Sequence, residues 1–305
     1  AHILDVNVGL PEIDEPKLLT DVVRALQSVT DLPLQIDSSD PAAMEKALRV
    51  YNGKALINSV NGKAESMKAV FPLMKKYGGV AVALTLDEGG IPPTAGERIA
   101  IARKIVETAA SYGISRKDLV FDTLTMAVSA DKNAACVTLD ALRGIRYEIG
   151  AHTLLGVSNV SFGLPARPLV NGAFFAAAME NGLSAAILNP FSVEMMKAWH
   201  TFRVLHGLDE GCADYIAFAD GLSVSDTASA APVKETETVD TLRRAIVKGL
   251  KDRAGLLAAE RLETVEPLAL VKEEIIPALD EVGKAYEAGK IYLPQLLMSA
   301  EAAQG

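Results

Sequence analysis

Short apolar runs that end on or beside an Asp or an Asn recur along the first two thirds of the chain. Their length is that of buried β-strands. The runs lie at 2–7, 32–37, 54–58, 81–87, 119–122, 154–159 and 185–189. If these strands are parallel, their polar ends lie on one face of the sheet, and we expect the function on that face.

Helical patterns fill the stretches between these runs. Regular alternation of strand and helix is typical of a parallel sheet, and the short connections favour a TIM (β/α)₈ barrel. Such a barrel needs eight strands, so we expect the first to lie upstream of Ala1 in a longer protein and the barrel to have a gap. Apolar residues at spacings of three and four predict helices at 15–29, 41–50, 64–77, 95–112, 133–149, 168–182 and 193–206.

The composition changes after residue 222. Residues 223–238 are small and polar, which predicts a linker between a barrel at 1–222 and a helical module at 239–305. A helical bundle of this size is too small to be very stable by itself. Its predicted helices are 239–262, 265–288 and 293–303.

The composition limits which partners and which cellular location we expect. Half of the 305 residues are apolar, which excludes a disordered chain, and the net charge of −9 disfavours nucleic acid as a partner. No apolar stretch reaches the roughly 18 residues of a membrane span, so we expect a cytoplasmic protein without a membrane partner. The spacing of the four histidines fits no metal site, and we expect Cys136 and Cys212 to be reduced and buried.

The residue types at the strand ends limit the chemistry. No Lys or His ends a strand, which disfavours a Schiff-base enzyme and a conventional general base. Carboxylates among carboxamides suit a neutral heterocycle with several N–H donors and carbonyl acceptors. The same residue types also cap helices, so each is equally a structural candidate. The candidates are Asp5, Asn7, Asp37, Asn58, Asp87, Asp122, Asn159 and Asn189.

Residues 156–190 form the most specific stretch of the chain. Gly156 allows close approach of a ligand to the backbone, and Ser158 and Asn159 supply short polar groups at a strand end. Arg167 either pairs with a ligand carboxylate or is a solvated loop charge; the residues alone leave both alternatives open.

Several motifs in order along residues 1–220 resemble the pterin-binding methyltransferase family, which includes the folate domain of cobalamin-dependent methionine synthase and the methyltetrahydrofolate:corrinoid methyltransferases. The motifs are IDSSD (36–40), INSVNGK (57–63), LTLDEGGIPPT (84–94), VFDTL (120–124) and GVSNVSFGLPAR (156–167). The family commonly has Asp where this chain has Ser184, and we expect a local change of capping or packing there.

The resemblance implies site residues. Asp37, Asn58 and Asp122 would hold the pyrimidine edge of a pterin. Gly156 and Ser158 would lie near its methyl-bearing nitrogen, with Arg167 close by. Asn159 would be the catalytic residue, donating a hydrogen bond to the nitrogen that leaves the methyl group.

The C-terminal segment carries a second resemblance. Residues 265–303 are similar to the helical cap that precedes the cobalamin-binding domain of methionine synthases. Cobalamin itself would then be carried by a domain outside this chain. Tyr292, Leu293, Leu297 and Met298 would either cover the cofactor with an apolar surface or simply pack the bundle.

The resemblances together imply a methyltransferase that moves the methyl group of 5-methyltetrahydrofolate to cob(I)alamin, as part of a methionine synthase. Its partner would be a corrinoid-binding domain or protein, and a homodimer is left open. Two alternatives stand beside this interpretation. The first is a dihydropteroate synthase, which would share the fold but would need a Lys at a strand end to bind its second substrate. The second is a non-catalytic module that would bind folate or dock a corrinoid protein without turnover.

Overall fold

The computed structural model describes residues 1–222, 241–291 and 293–305. The predicted linker at 223–238 and the predicted cofactor contact Tyr292 lie outside the described residues. The chain divides into two compact units, and the predicted domain boundaries stay predictions. The first unit comprises Ala1–Val160 with Pro168–Cys212, and the second comprises Ser161–Arg167 with Ala213–Gly305.

A parallel sheet of seven strands, paired in chain order, forms the centre of the first unit. Within the described ranges no pairing links the first strand to the last, so the barrel is nearly but not fully closed. The predicted fold, a TIM barrel with seven visible strands, is confirmed. The strands are β1 (Leu4–Asn7), β2 (Leu34–Asp37), β3 (Leu56–Asn61), β4 (Val80–Leu84), β5 (Leu119–Asp122), β6 (His152–Gly156) and β7 (Ala185–Ile187).

Seven helices alternate with these strands, within a few residues of their predicted bounds. Side-chain caps fix several beginnings: Asp14 and Asp40 accept from backbone N–H groups of the first turn, and Thr94 forms a capping box with Glu97. The helices are α1 (Glu15–Gln27), α2 (Pro41–Val50), α3 (Ala64–Tyr77), α4 (Ala95–Ser111), α5 (Ala134–Gly144), α6 (Arg167–Glu180) and α7 (Val193–Leu205).

The main core of the first unit lies between the sheet and its helices. Ile36, Ile57 and Phe121 are fully buried in it, together with helix residues such as Phe71 and Ile105. Side chains alternate between the two faces of a strand. The next residue on each of the three strands therefore faces the interior of the barrel.

Six helices of the second unit lie in the part of the chain that the structure describes. Those after residue 241 surround a small apolar core that includes Leu242, Ile246 and Leu257. The predicted single helix over 239–262 is wrong: the chain turns at Gly249, whose φ is +67°, and a Cβ there would lie 2.6 Å from Cβ of Met298. The helices are α8 (Ala213–Asp220), α9 (Leu242–Val247), α10 (Lys251–Leu262), α11 (Pro267–Leu270), α12 (Ile276–Glu287) and α13 (Leu293–Gln304).

Two further expectations need correction or explanation. The predicted burial of both cysteines is wrong, because Cys136 is exposed and Cys212 is half-exposed. Ser184 forms a reciprocal pair with Thr153: its N–H donates to Oγ1 of Thr153 at 3.0 Å, and its Oγ accepts from the Thr153 N–H at 3.2 Å. The Ser thus ties β6 to the start of β7.

In the described ranges, no helix is long and apolar enough to cross a membrane.

Candidate functional site

The strand register brings predicted site residues side by side. Asn7 of β1 pairs with Asp37 of β2, and Asp37 pairs with Asn58 of β3. Two strands further on, Asp122 ends β5, and Gly156 ends β6. Because all the strands are parallel, these ends lie at the carboxyl-terminal face of the barrel, where active sites of this fold occur.

Asp37, Asn58 and Asp122 all face the barrel interior, since each follows a residue that is buried against the helices. Asp5 faces the same way and accepts a 2.6 Å hydrogen bond from Nε2 of Gln35. Burial raises the pKa of Asp5, the Gln35 bond opposes this, and the charge of Asp37 adds to the rise. The interior therefore holds two acids, Asp5 and Asp37, that are close enough for the charge of one to raise the pKa of the other.

Asp122 is the most strongly perturbed acid of this set. Burial raises its pKa to about 6, against the opposing effects of a hydrogen bond from Leu124 and of the Arg98 charge. The bond runs from the Leu124 N–H to Oδ1 at 2.7 Å. Within the described residues the other carboxylate oxygen has no hydrogen bond. At pH 7 the group is mostly ionised and can accept from a ligand.

The side chains of Asp37 and Asn58 can also form further hydrogen bonds. Neither side chain makes a hydrogen bond to any residue that the structure describes, although both are only half-exposed. Partly buried polar groups usually have partners. These two are therefore available to a planar ligand with N–H donors and carbonyl acceptors.

Asn159 lies beyond the strand to which it was assigned. β6 ends at Gly156, and Asn159 is exposed in a 3₁₀ turn at Val157–Ser161 that also contains Ser158. A Cβ added to Gly156 would lie 3.3 Å from Nδ2 of Asn159. The glycine therefore leaves space for the amide at the end of β6.

Arg167 is engaged within its own loop. Its Nε donates to Oγ of Ser161 at 3.0 Å, and its guanidinium lies 5.8 Å from the ring centre of Phe162. Of the two alternatives for Arg167, these contacts favour a loop charge, and its role as a ligand contact stays a prediction. It belongs to the second compact unit rather than to the first.

Three of the strand-end candidates are structural. The side-chain oxygens of Asn7, Asp87 and Asn189 each accept from the backbone N–H two residues further on, at 2.9–3.0 Å. Such Asx turns shape the loops that leave the strands. Asp87 and Asn189 also lie past the ends of β4 and β7, so placing them on strands was wrong.

Two residues near Asp122 were missed by the sequence analysis. Arg98 is only 3% exposed and donates to backbone carbonyls of the loop that follows β5. The only signal for it was its position three residues before Ile101, on the buried face of α4. Thr125 Oγ1 is buried without a hydrogen-bond partner among the described residues, and nothing in the sequence distinguishes this hydroxyl.

The predicted cofactor contacts that the structure describes lie on α13. The Leu293 N–H donates to the carbonyl of Gly163 at 3.2 Å. The side chains of Leu297 and Met298 are 41% and 49% exposed and do not belong to the core of the second unit. This exposure favours an apolar surface over simple bundle packing for these two residues.

In the described ranges, no group of three or more His, Cys, Asp and Glu side chains is arranged to hold a metal ion.

Curated relatives are similar to the chain over different lengths. A methylcorrinoid:tetrahydrofolate methyltransferase of Eubacterium limosum is 33% identical over 229 residues, which are 72% of this chain and 83% of the relative. A methionine synthase of Mycobacterium tuberculosis is 26% identical over 326 residues, which cover 99% of this chain. The chain spans only 27% of the length of that synthase.

Solved structures of dihydropteroate synthases share the fold. One from Yersinia pestis, bound to a sulfonamide drug, has a TM-score of 0.54 at 16% identity and covers 68% of this chain and 81% of its own. At this identity the likeness shows the fold alone.

Two family models match the sequence. A B12 binding domain model matches residues 238–305. A pterin binding enzyme model matches residues 1–189, which include Asp37, Asn58, Asp122 and Asn159. The chain therefore belongs to the pterin-binding enzyme family.

Proposed function

We propose that this chain is the folate-binding part of a methyltransferase that moves a methyl group from 5-methyltetrahydrofolate to a corrinoid cofactor. The observation that carries the proposal is the polar set of Asp37, Asn58 and Asp122 on the interior face of the barrel, with unused hydrogen-bonding capacity. The name of the Eubacterium limosum relative pairs a corrinoid with tetrahydrofolate, which supports the same two carriers of the methyl group, and the longer relative supports a methionine synthase as the parent protein.

The barrel residues would bind the pterin by its pyrimidine edge. The edge of a pterin carries ring and exocyclic N–H groups, and a carboxylate accepts from such pairs. Asp122, ionised above about pH 6, and Asp37 would accept these bonds, while the amide of Asn58 can donate or accept. Ser158 and Arg167 stay predicted contacts further along the folate.

Asn159 would act on the reacting end of the folate. When the methyl group leaves, negative charge develops on the pterin nitrogen unless a donor compensates it. The exposed amide of Asn159 beside Gly156 supplies such a donor. A hydrogen bond that strengthens as charge develops stabilises the transition state more than the ground state.

We expect the corrinoid to contact Leu293 and Met298, and also Tyr292, which lies outside the described residues. The corrinoid would supply the reduced cobalt that accepts the methyl group. The exposed apolar side chains of α13 fit a contact that keeps water away from a reactive group. The partner would be a corrinoid-binding domain or protein. A cytoplasmic location and a homodimer stay predictions.

An absorbance assay tests this function. The chain is mixed with 5-methyltetrahydrofolate and chemically reduced cobalamin, and loss of the cob(I)alamin spectrum is followed with time. We expect methyl transfer that depends on the chain and on the folate. Folate binding without any transfer would instead support a non-catalytic module and would refute the proposed enzyme.

A further inference from the structure

Arg98 is a buried cation in the first turn of α4. Its side chain is 3% exposed, and among the described residues it forms no direct ion pair. Removing a cation from water is costly unless other groups compensate it. The contacts of Arg98 therefore need an explanation beyond the packing of α4.

The guanidinium joins the loops that follow two neighbouring strands. Nε donates to the carbonyl of Pro92, after β4, at 3.0 Å. Nη1 donates to the carbonyls of Thr123 and Leu124, after β5, at 2.6 and 2.9 Å. A planar fork that donates in several directions is particular to arginine, and a lysine cannot reproduce it.

One of these carbonyls belongs to the residue that orients Asp122. Leu124 has φ of +62°, a left-handed conformation that is costly for a residue with a side chain. Its N–H donates to Oδ1 of Asp122 at 2.7 Å, while its carbonyl accepts from Arg98. Thr138 Oγ1 makes only a longer contact, 3.4 Å, to the same carbonyl. Arg98 thus holds the strained residue whose N–H fixes the carboxylate.

The charge of Arg98 acts on Asp122 as well. Burial raises the pKa of Asp122, and the Arg98 charge opposes that rise. The residues paired with Asp122 on the flanking strands are apolar, Leu84 and Leu154. Asp131 is the other acid whose charge acts on Arg98. Arg98 is therefore the cation in the described region that favours ionised Asp122.

We propose that Arg98 is a positioning residue for the folate reaction, which fixes the loop after β5 and keeps the Asp122 carboxylate ionised and aimed into the barrel. The inference rests on the proposed function, in which Asp122 binds the pterin. Arg98 itself needs no contact with the folate.

The test compares Arg98→Met, which removes the charge, with Arg98→Lys, which keeps the charge but not the fork. Arg103→Met is the matched control, because Arg103 lies on the same helix with an exposed side chain paired to Glu148. Two measurements are made on each variant. Calorimetry gives the affinity for 5-methyltetrahydrofolate at pH 7.5, and carbon NMR of labelled Asp carboxyl groups gives the titration midpoint of Asp122 without folate.

For Arg98→Met we expect an Asp122 midpoint at higher pH than in the parent and an affinity lower by about tenfold or more, the loss expected for one misplaced bond to a charged group. Arg98→Lys should leave the titration midpoint of Asp122 unchanged but should lower the affinity for 5-methyltetrahydrofolate. Arg103→Met should match the parent in the titration midpoint of Asp122 and in folate affinity. If Arg98→Met does not fold, Arg98→Lys decides alone, and parent-like affinity in it overturns the inference.

The two readouts separate this inference from the proposed function. A parent chain that binds no folate would refute the function, while the shifted midpoint would still show that Arg98 acts on Asp122. A parent that binds folate, with Arg98 variants unchanged in midpoint and affinity, would overturn the inference alone.

Discussion

Replacement of Asp122 by Asn should make the barrel more stable at neutral pH while it weakens folate binding. Burial raises the pKa of this carboxyl from its ordinary 3.8 to about 6, so the ionised form is disfavoured in the folded chain. The difference between these pKa values corresponds to about 3 kcal/mol, lost from the stability of the parent as pH rises from about 4 to above 6. An Asn keeps the oxygen that accepts from Leu124 but has no proton to lose.

The assay is urea denaturation followed by the fluorescence of Trp199, the single tryptophan, which lies in the same compact unit as Asp122. At pH 7 Asp122→Asn should exceed the parent in free energy of unfolding by up to about 3 kcal/mol. The difference should shrink as pH falls below 6 and disappear only below about pH 4, because the parent carboxyl is protonated in both the folded and the unfolded state only below its ordinary pKa of 3.8. Asp140→Asn, at an exposed position of α5, is the control and should show no such trend.

A variant that is no more stable than the parent at pH 7, or a stability difference that stays constant from pH 7 to pH 4, would refute this reasoning. Either result would mean that Asp122 is not held in the buried environment from which its role as a ligand acceptor is inferred.

Three further predictions concern Asn159, Gly156 and the turn at Gly249. Asn159→Ala should slow methyl transfer roughly 10²- to 10³-fold with folate affinity retained, and unchanged turnover would remove Asn159 from its role. Gly156→Ala should also slow transfer, by less, because its Cβ would lie 3.3 Å from Nδ2 of Asn159; equal rates would contradict the contact. Gly249→Ala should lower the melting temperature of the second unit, because a Cβ would lie 2.6 Å from Met298, whereas Gly255→Ala, in open space within α10, should raise it.

The alternation of strands and helices could be predicted from the sequence because local patterns of residues control it. Apolar runs such as 119–122 and capped helices such as α4 appear in the structure almost at their predicted bounds. Parallel pairing then places Asp37 beside Asn58 without further information, since consecutive strands are neighbours in a barrel.

Features that depend on contacts between distant segments of the chain could not be predicted from the sequence. A polar residue that ends a strand and one that forms the next turn look alike, so Asp87 and Asn159 were placed on strands that end before them. At Gly249, which has a φ of +67°, the close approach of Met298 that leaves no space for a side chain comes from a segment far away in sequence. Arg98 looked like one more charge on an amphipathic helix, because the carbonyls that it binds are brought to it only by the fold.

The central claim is that the interior polar set of the barrel binds a reduced pterin, and calorimetry with 5-methyltetrahydrofolate tests it most directly. We predict saturable binding to one site per chain at pH 7.5, weakened about tenfold or more by Asn58→Ala and by Asp122→Asn but not by Asn7→Ala, whose side chain only shapes a loop. Absence of binding heat with the parent chain, or equal affinity in all three variants, would contradict the account.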